Sequence, residues 1–365
     1  MAPVASARSV AGMPVETRRV VAVQLAARPG EVERNLRHIA DVVGQAVREH
    51  RPDMVFLPEV SCAPNLAHSM MGGCVRPVDG GPLAAYRSLA REHGCLIGGG
   101  ALTIRGRDAR NTYYLCEPDG SVHLHDKDQP SMWENVTYAA GEDEGVCVTR
   151  DGPIGVPNGF EWIRTRTAAR LRGRVRLVAG GMCFPSFPTW RVTRPYFWER
   201  EHGLMLDLAR ESPGRLARVV GAPAVHASHV GDVVMQTPLA PRIPWPTILV
   251  GETQITDERG AILERLTYDD GEGYVAADVA WRPPEPLDPV PDRFWMTTLP
   301  LSVQAIWHAE NARGRALYRW RHRRGAHPFQ RDAGYGLDLA DHVPAAGLSR
   351  TGGQASTAAR RCPPG

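Results

Sequence analysis

The sequence predicts a layered α/β domain with mixed sheets. Strand-type apolar runs and amphipathic helical stretches alternate from the N-terminus to about residue 100. Hairpin signals then take over, led by Pro118-Asp119-Gly120. The chain has 365 residues and is 43% hydrophobic, enough to bury a large core without disulfide staples.

Taken in order, residues 19–25 (RVVAVQL) read as a short buried strand. Leu36, Ile39, Val42, Val43 and Val47 fall at helical spacing and predict a helix over 31–48. Residues 54–57 form a second strand, ending at Pro58-Glu59, and a helix over 83–93 follows. Strands are expected over 95–104, 111–117 and 121–125. Gly155-Val156 leads into a helix over 162–171, and 175–179 is a buried strand. Helices over 199–210 and 216–220 come next, then strands over 224–227, 247–256 and 273–278. Beyond Pro283 the chain turns proline-rich, with one more helix over 303–324. This reading divides the chain into a flexible leader (1–18), one domain (19–282), an extension carrying a helix at a subunit interface (283–330) and a disordered tail (331–365).

Composition excludes several classes of function. A formal charge of +3 is too weak to imply a nucleic-acid partner. No apolar run is long enough to span a membrane, and the N-terminal residues lack the apolar stretch of a signal peptide, so a cytoplasmic protein is expected. Seven cysteines without a CxxC pair argue for a reducing compartment and against a zinc knuckle. Of 43 basic residues, 42 are arginine and one is lysine, Lys127. Arginine is a planar, permanently charged fork, whereas lysine is a compact point charge. A lone lysine in this background points to a place where arginine cannot serve.

Glu59 closes Val55-Phe56-Leu57-Pro58-Glu59, at the carboxyl end of a strand, where sites of layered α/β folds sit. Alone, it reads equally well as a solvated carboxylate. Lys127 follows the strand over 121–125, and Glu134 comes seven residues later in Trp133-Glu134-Asn135. A single loop carboxylate is usually a surface group, so the specificity lies in the ordered set. Strand-Pro-Glu is followed by Asn111-Thr112, Pro-Asp-Gly, the lysine, the second glutamate and Gly141. Asp79-Gly80-Gly81-Pro82-Leu83 precedes the second helix, and Gly251-Glu252-Thr253-Gln254-Ile255 with Asp257 and Gly260 makes a late strand and turn.

Over residues 19–280 this set resembles the nitrilase (carbon–nitrogen hydrolase) superfamily. The resemblance implies a four-layer αββα sandwich, with two mixed sheets face to face and helices outside. It also implies a small-molecule substrate, assembly into a homodimer or more, and no cofactor or metal. Glu59 would be the general base, Lys127 the cation that meets the oxyanion, and Glu134 the carboxylate that positions substrate and lysine. A fixed cation in a dry site suits a developing oxyanion, and flanking carboxylates keep an ammonium charged.

The family's nucleophilic cysteine should lie about two dozen residues past the second glutamate, on a strand-to-helix turn. Gly159 stands there, twenty-five residues past Glu134, in Gly155-Val156-Pro157-Asn158-Gly159-Phe160-Glu161. Gly155, Val156, Phe160 and Glu161 match the family's pattern; glycine at the cysteine position does not, and it cannot attack anything. It would leave room for water or for a bulkier substrate. In a rival register Cys183, in Gly181-Met182-Cys183-Phe184-Pro185, is the nucleophile, but no acid follows it and it lies forty-nine residues past Glu134. In the Gly159 register Cys183 lines the pocket or is a buried small hydrophobe. Asn158, Phe160, Phe184 and His229 are the remaining pocket candidates. His226 and His229 near a strand end suggest a metal only weakly.

Three functional readings follow. The first is an enzyme acting at a carbon–nitrogen bond of an amide-, nitrile- or related small molecule through Glu59, Lys127 and Glu134, without the elbow cysteine. The second is an inert binding or regulatory protein of the same fold. The third is a cysteine amidase using Cys183.

Overall fold

The computed structural model describes residues 16–325 and Phe329. The chain runs β1 (Thr17–Leu25), α1 (Val32–His50), β2 (Met54–Phe56), β3 (Arg76–Pro77) and α2 (Gly81–His93). Strands β4 (Leu96–Arg105), β5 (Asp108–Cys116), β6 (Val122–Asp126), β7 (Val146–Thr149) and β8 (Gly152–Gly155) follow, then α3 (Thr165–Leu171) and β9 (Leu177–Met182). Helix α4 (Gly203–Val220) leads to β10 (Ala224–Thr237), β11 (Ala240–Val250), β12 (Thr253–Thr256), β13 (Ile262–Leu266) and β14 (Gly273–Ala280). Helix α5 (Leu301–Arg324) ends the described chain. The tail expected over 331–365 lies outside the described residues, as does most of the leader.

Twelve of the fourteen strands fall into two six-stranded halves, with β3 paired to β4 and β11 to β10 beside them. One is ordered β6-β5-β4-β2-β1-β14 and the other β7-β8-β9-β10-β12-β13. Alternation along each strand sorts the core into three parts. Val20, Ala22, Met54 and Phe56 of the first half meet Leu177, Ala179, Val225 and Ile255 of the second. The intervening residues Val21, Val23, Val55 and Leu57 face α1 and α2 through Ile39, Val43, Leu83 and Tyr86. On the far side Val178 and Ala224 pack on α3 and α4 through Leu171, Leu208 and Leu216. This is the four-layer αββα arrangement the sequence predicts. It departs from the expectation in one respect. The two sheets are not separate, because β1 pairs in parallel with β10 at Gln24–Ser228 and Leu25–His229 and joins them into one network.

Local differences have identifiable causes. The expected pair of helices over 199–210 and 216–220 is a single helix, α4, running through Pro213. Proline removes a helical hydrogen bond, and here the Gln254 side-chain amide donates to the carbonyls of Ala209 and Arg210 (3.5 and 2.9 Å). The helix expected over 162–171 starts instead as a 3₁₀ turn at Gly159–Ile163 and resumes as α3 after extended Arg164. The strand expected over 247–256 breaks at Gly251 and Glu252, both with positive φ. Helix α5 buries Val303, Trp307, Asn311, Gly314 and Tyr318. That face sits on its own chain: Asn311 Oδ1 accepts from Met132 N (2.8 Å) and from Asn135 Nδ2 (2.6 Å), and the Tyr318 hydroxyl donates to Asp108 (2.9 Å).

Candidate active site

Three segments from separate parts of the chain meet at the carboxyl ends of the strands. Glu59 follows β2, and its backbone lies against Gly181 of β9, where a Cβ would collide with Glu59 N. Its neighbour Val60 holds a positive φ of 44°, a sparsely populated conformation for a β-branched residue. Lys127 follows β6 and is fixed by its backbone: its N–H donates to Asn111 O (2.9 Å) and its carbonyl accepts from Gly141 N (2.8 Å). Glu134 sits in the 3₁₀ turn Met132–Val136, in a capping box in which Ser131 N donates to its Oε2 at 2.6 Å.

Their side chains form one buried cluster. Lys127 Nζ donates to Glu59 Oε1 and to both Glu134 oxygens, each at 2.8 Å. Lys127 and Glu59 are each 1% exposed. Asn111 Nδ2 also donates to Glu59 Oε1 (2.7 Å), Cys183 N to Glu59 Oε2 (3.1 Å), and Asn65 Nδ2 to Glu134 Oε1 (2.9 Å). The Tyr138 hydroxyl accepts from Asn111 Nδ2 at 3.2 Å. Burial works against the Lys127 ammonium, but Glu134 and Glu59 outweigh it and raise its pKa. Burial raises the Glu134 carboxyl, Lys127 opposes the rise and Glu59 adds to it. One ammonium between two carboxylates leaves excess negative charge in a dry site.

Gly159 starts the 3₁₀ turn after β8, with φ +59°. A Cβ built there would collide with the Glu59 carboxylate and with Lys127 Nζ. The room expected beside Gly159 is therefore absent: Glu59 and Lys127 close over its bare Cα. A second charged network braces this turn from behind. Glu161 Oε2 accepts from Asn158 N (2.8 Å) and pairs with His125 Nε2 (2.7 Å), while His125 Nδ1 meets Asp143 Oδ1 at 2.5 Å. Arg170 bridges Glu161 (2.6 Å) and Asp128 (3.0 Å), and Arg164 also pairs with Asp128.

The cluster opens onto a cavity of about 50 Å³. Phe160, Phe184, Phe187 and Trp245 line it with Val303 and Ile306 of α5, above a floor that includes Glu59, Glu134, Asn65 and Cys183. Of the four pocket candidates, Phe160 and Phe184 do line the cavity. Asn158 does not; its amide donates to Asn111 Oδ1 (2.9 Å), one step from Glu59. His229 does not either: its Nε2 meets the Glu59 carbonyl (2.9 Å). His226 Nδ1 meets the Glu252 carbonyl (3.1 Å), and burial lowers its pKa to about 4. Among the described residues no group of three or more His, Cys, Asp or Glu could hold a metal. Cys183 sits at the cavity with Asn65 N donating to its sulfur (3.2 Å). Burial, with Glu59 adding to it, raises its thiol well above the ordinary cysteine value. Sequence reasoning missed Asn65, Tyr138, Val303 and Ile306. No local signal marks them, since only the packing of distant segments brings them to the site.

Residues 19–173 match the family described as carbon-nitrogen hydrolase, a span that includes Glu59, Lys127, Glu134 and Gly159. Over that span the chain is similar to this family. Solved members share its fold at low identity. A CN-hydrolase superfamily protein from Xanthomonas campestris, with an arsenic adduct in its active site, is 17% identical with a TM-score of 0.56. The similarity covers 72% of this chain and 90% of that one. A carbon–nitrogen hydrolase from Helicobacter pylori is 16% identical (TM-score 0.57; 72% and 89% covered). A mutant of the amidase from Nesterenkonia sp. AN1, to whose active-site cysteine acrylamide has added, is 17% identical (TM-score 0.54; 76% and 96% covered). No curated protein is significantly similar in sequence. No described helix of the chain is long and apolar enough to cross a membrane.

Proposed function

We propose that this protein acts at the carbon–nitrogen bond of a small amide or related molecule without a covalent thiol intermediate. One observation carries the reading: Glu59 and Glu134 line the floor of an apolar cavity and are joined behind it by the buried Lys127. A buried charge cluster is costly to keep, and apolar residues of similar volume are often as stable. Its place at the floor of a cavity favours use over inertness.

The chemistry follows from the groups present. The substrate carbonyl oxygen takes the place of one carboxylate oxygen beside Lys127 Nζ, which meets the negative charge that develops there. Glu59 takes a proton from a water molecule in the cavity as the water oxygen bonds to the carbonyl carbon. The tetrahedral species collapses, the carbon–nitrogen bond breaks, and Glu59 returns the proton to the leaving nitrogen. Acid and amine are the products. Gly159 offers no attacking group, and the raised pKa of Cys183 disfavours its thiolate.

The test is turnover of a panel of short aliphatic and aromatic amides by the purified protein. Glu59→Gln should lower kcat/KM by at least about 100-fold, whereas Cys183→Ala should retain activity with no acylated cysteine detected by mass spectrometry. If Cys183→Ala abolishes turnover and Cys183 carries the acyl group, the thiol mechanism is correct and this one is not. If the panel binds and nothing is turned over, the protein is a binding protein of the same fold.

A further inference from the structure

A second, larger cavity of about 530 Å³ lies beside the first, and Trp133 lines both. Helix α5 also contributes to both. Val303 and Ile306 line the inner cavity, and Glu310, Arg313, Leu317 and Arg321 line the outer one. These six positions are spaced by three or four residues and so form one stripe on one helix face. The stripe is apolar over the inner cavity and carries the charges over the outer one.

The charges in the outer cavity are unevenly committed. Glu310 is wholly buried and satisfied: it accepts from Arg313 Nε (3.0 Å) and Nη2 (2.5 Å), and from Leu239 N (2.9 Å). Arg321 pairs with no carboxylate among the described residues. His68 accepts from Met70 N through Nδ1 (3.1 Å), which leaves Nε2 to donate into the cavity. The indole Nε1–H of Trp133, at the partition, is buried and has no partner among the described residues. The lining therefore has donors and one unpaired cation, and its one carboxylate is already neutralised. That is the lining of an anion-accepting chamber.

We infer that the outer chamber is a specificity site for the tail of an elongated substrate. The amide end occupies the apolar inner cavity, the chain passes Trp133, and an anionic group at the far end pairs with Arg321. This deepens the function proposed above and rests on it for the identity of the inner group only.

Two probe series test it: straight-chain monoamides of dicarboxylic acids from four to eight carbons, and neutral straight-chain amides of the same lengths. Binding to the full chain carrying Glu59→Gln is measured by calorimetry, so turnover is not needed. At one or more lengths the carboxylate-ended compound should bind about tenfold more tightly than its neutral partner. Arg321→Gln should remove that preference and leave the neutral series unchanged. In the protein with Glu59 intact, Arg321→Gln should raise KM for the preferred monoamide about tenfold and leave kcat unchanged. Equal binding of the two series, binding of neither, or a preference that survives Arg321→Gln overturns the proposal. If the preference and its dependence on Arg321 hold while no amide is hydrolysed, the chamber stands and the hydrolytic reading falls. If neutral amides are hydrolysed with no preference at any length, the chamber alone falls.

Discussion

The ammonium of Lys127 reaches three carboxylate oxygens at 2.8 Å from a side chain that is 1% exposed. A guanidinium is longer, flat and forked, and it would lock onto one carboxylate as a bidentate pair. Lys127→Arg should therefore fold and yet lose at least about 100-fold in kcat/KM. Near-full activity in that variant would refute the electrostatic role. Gly159 imposes a steric constraint of the opposite kind. Its φ of +59° and the closeness of Glu59 and Lys127 both exclude a side chain. Gly159→Ala should cost about 2–4 kcal/mol of stability, from the left-handed backbone and overpacking together. The check is chemical denaturation; an unchanged midpoint would mean that the elbow relaxes at no cost. Glu59 and Lys127 were legible because each broke a pattern, a carboxylate closing an apolar strand and a lysine among arginines. The closure over Gly159 was not legible, since it depends on where two other segments place their side chains.

At the scale of the element, the strand-to-helix turn is held by a charged clamp. His125 joins the end of β6 to Glu161 in the turn, and Asp143 supports it from the other side. Burial opposes the His125 cation, but Asp143 and Glu161 overcome it and raise its pKa from 6.5 to about 10. A group whose pKa rises on folding contributes stability in full below its unfolded value and loses it as pH climbs through the folded one. The stability gap between the wild type and His125→Gln should thus be widest at or below pH 6.5 and shrink as pH approaches about 10. Thermal melts across that range measure it, and a gap that widens with pH would reverse the assignment. Elements themselves were unevenly legible. Helix α1 carries its apolar stripe in sequence, so its span could be read. The first part of strand β11 could not: residues 240–246 contain Pro241, Pro244 and Pro246, which argue against a strand, and only 247–250 was expected as one. They are tolerated because, of the described strands, β11 pairs with β10 alone.

At the scale of the molecule, alternation within β1 and β2 is enough to call for apolar partners on both faces, and the αββα layering supplies them. The joint between sheets at Gln24 and Leu25 was beyond sequence reading, since two residue pairs leave no pattern. The layering has a consequence for the surface. It draws the chain's one lysine into the interior, so the folded exterior carries positive charge as guanidinium and shows no ε-amine among the described residues. Amine-selective acylating reagents such as hydroxysuccinimide esters need a reachable, neutral amine. The native protein should therefore withhold Lys127 from them, and the unfolded chain should surrender it. Digestion after a labelling pulse, with the peptide bearing Lys127 weighed, turns that residue into a stoichiometric clock for opening of the site. Labelling at the same rate with and without denaturant would show that the interior is open to reagent. A slow native rate would measure how often Glu59 and Glu134 release their cation.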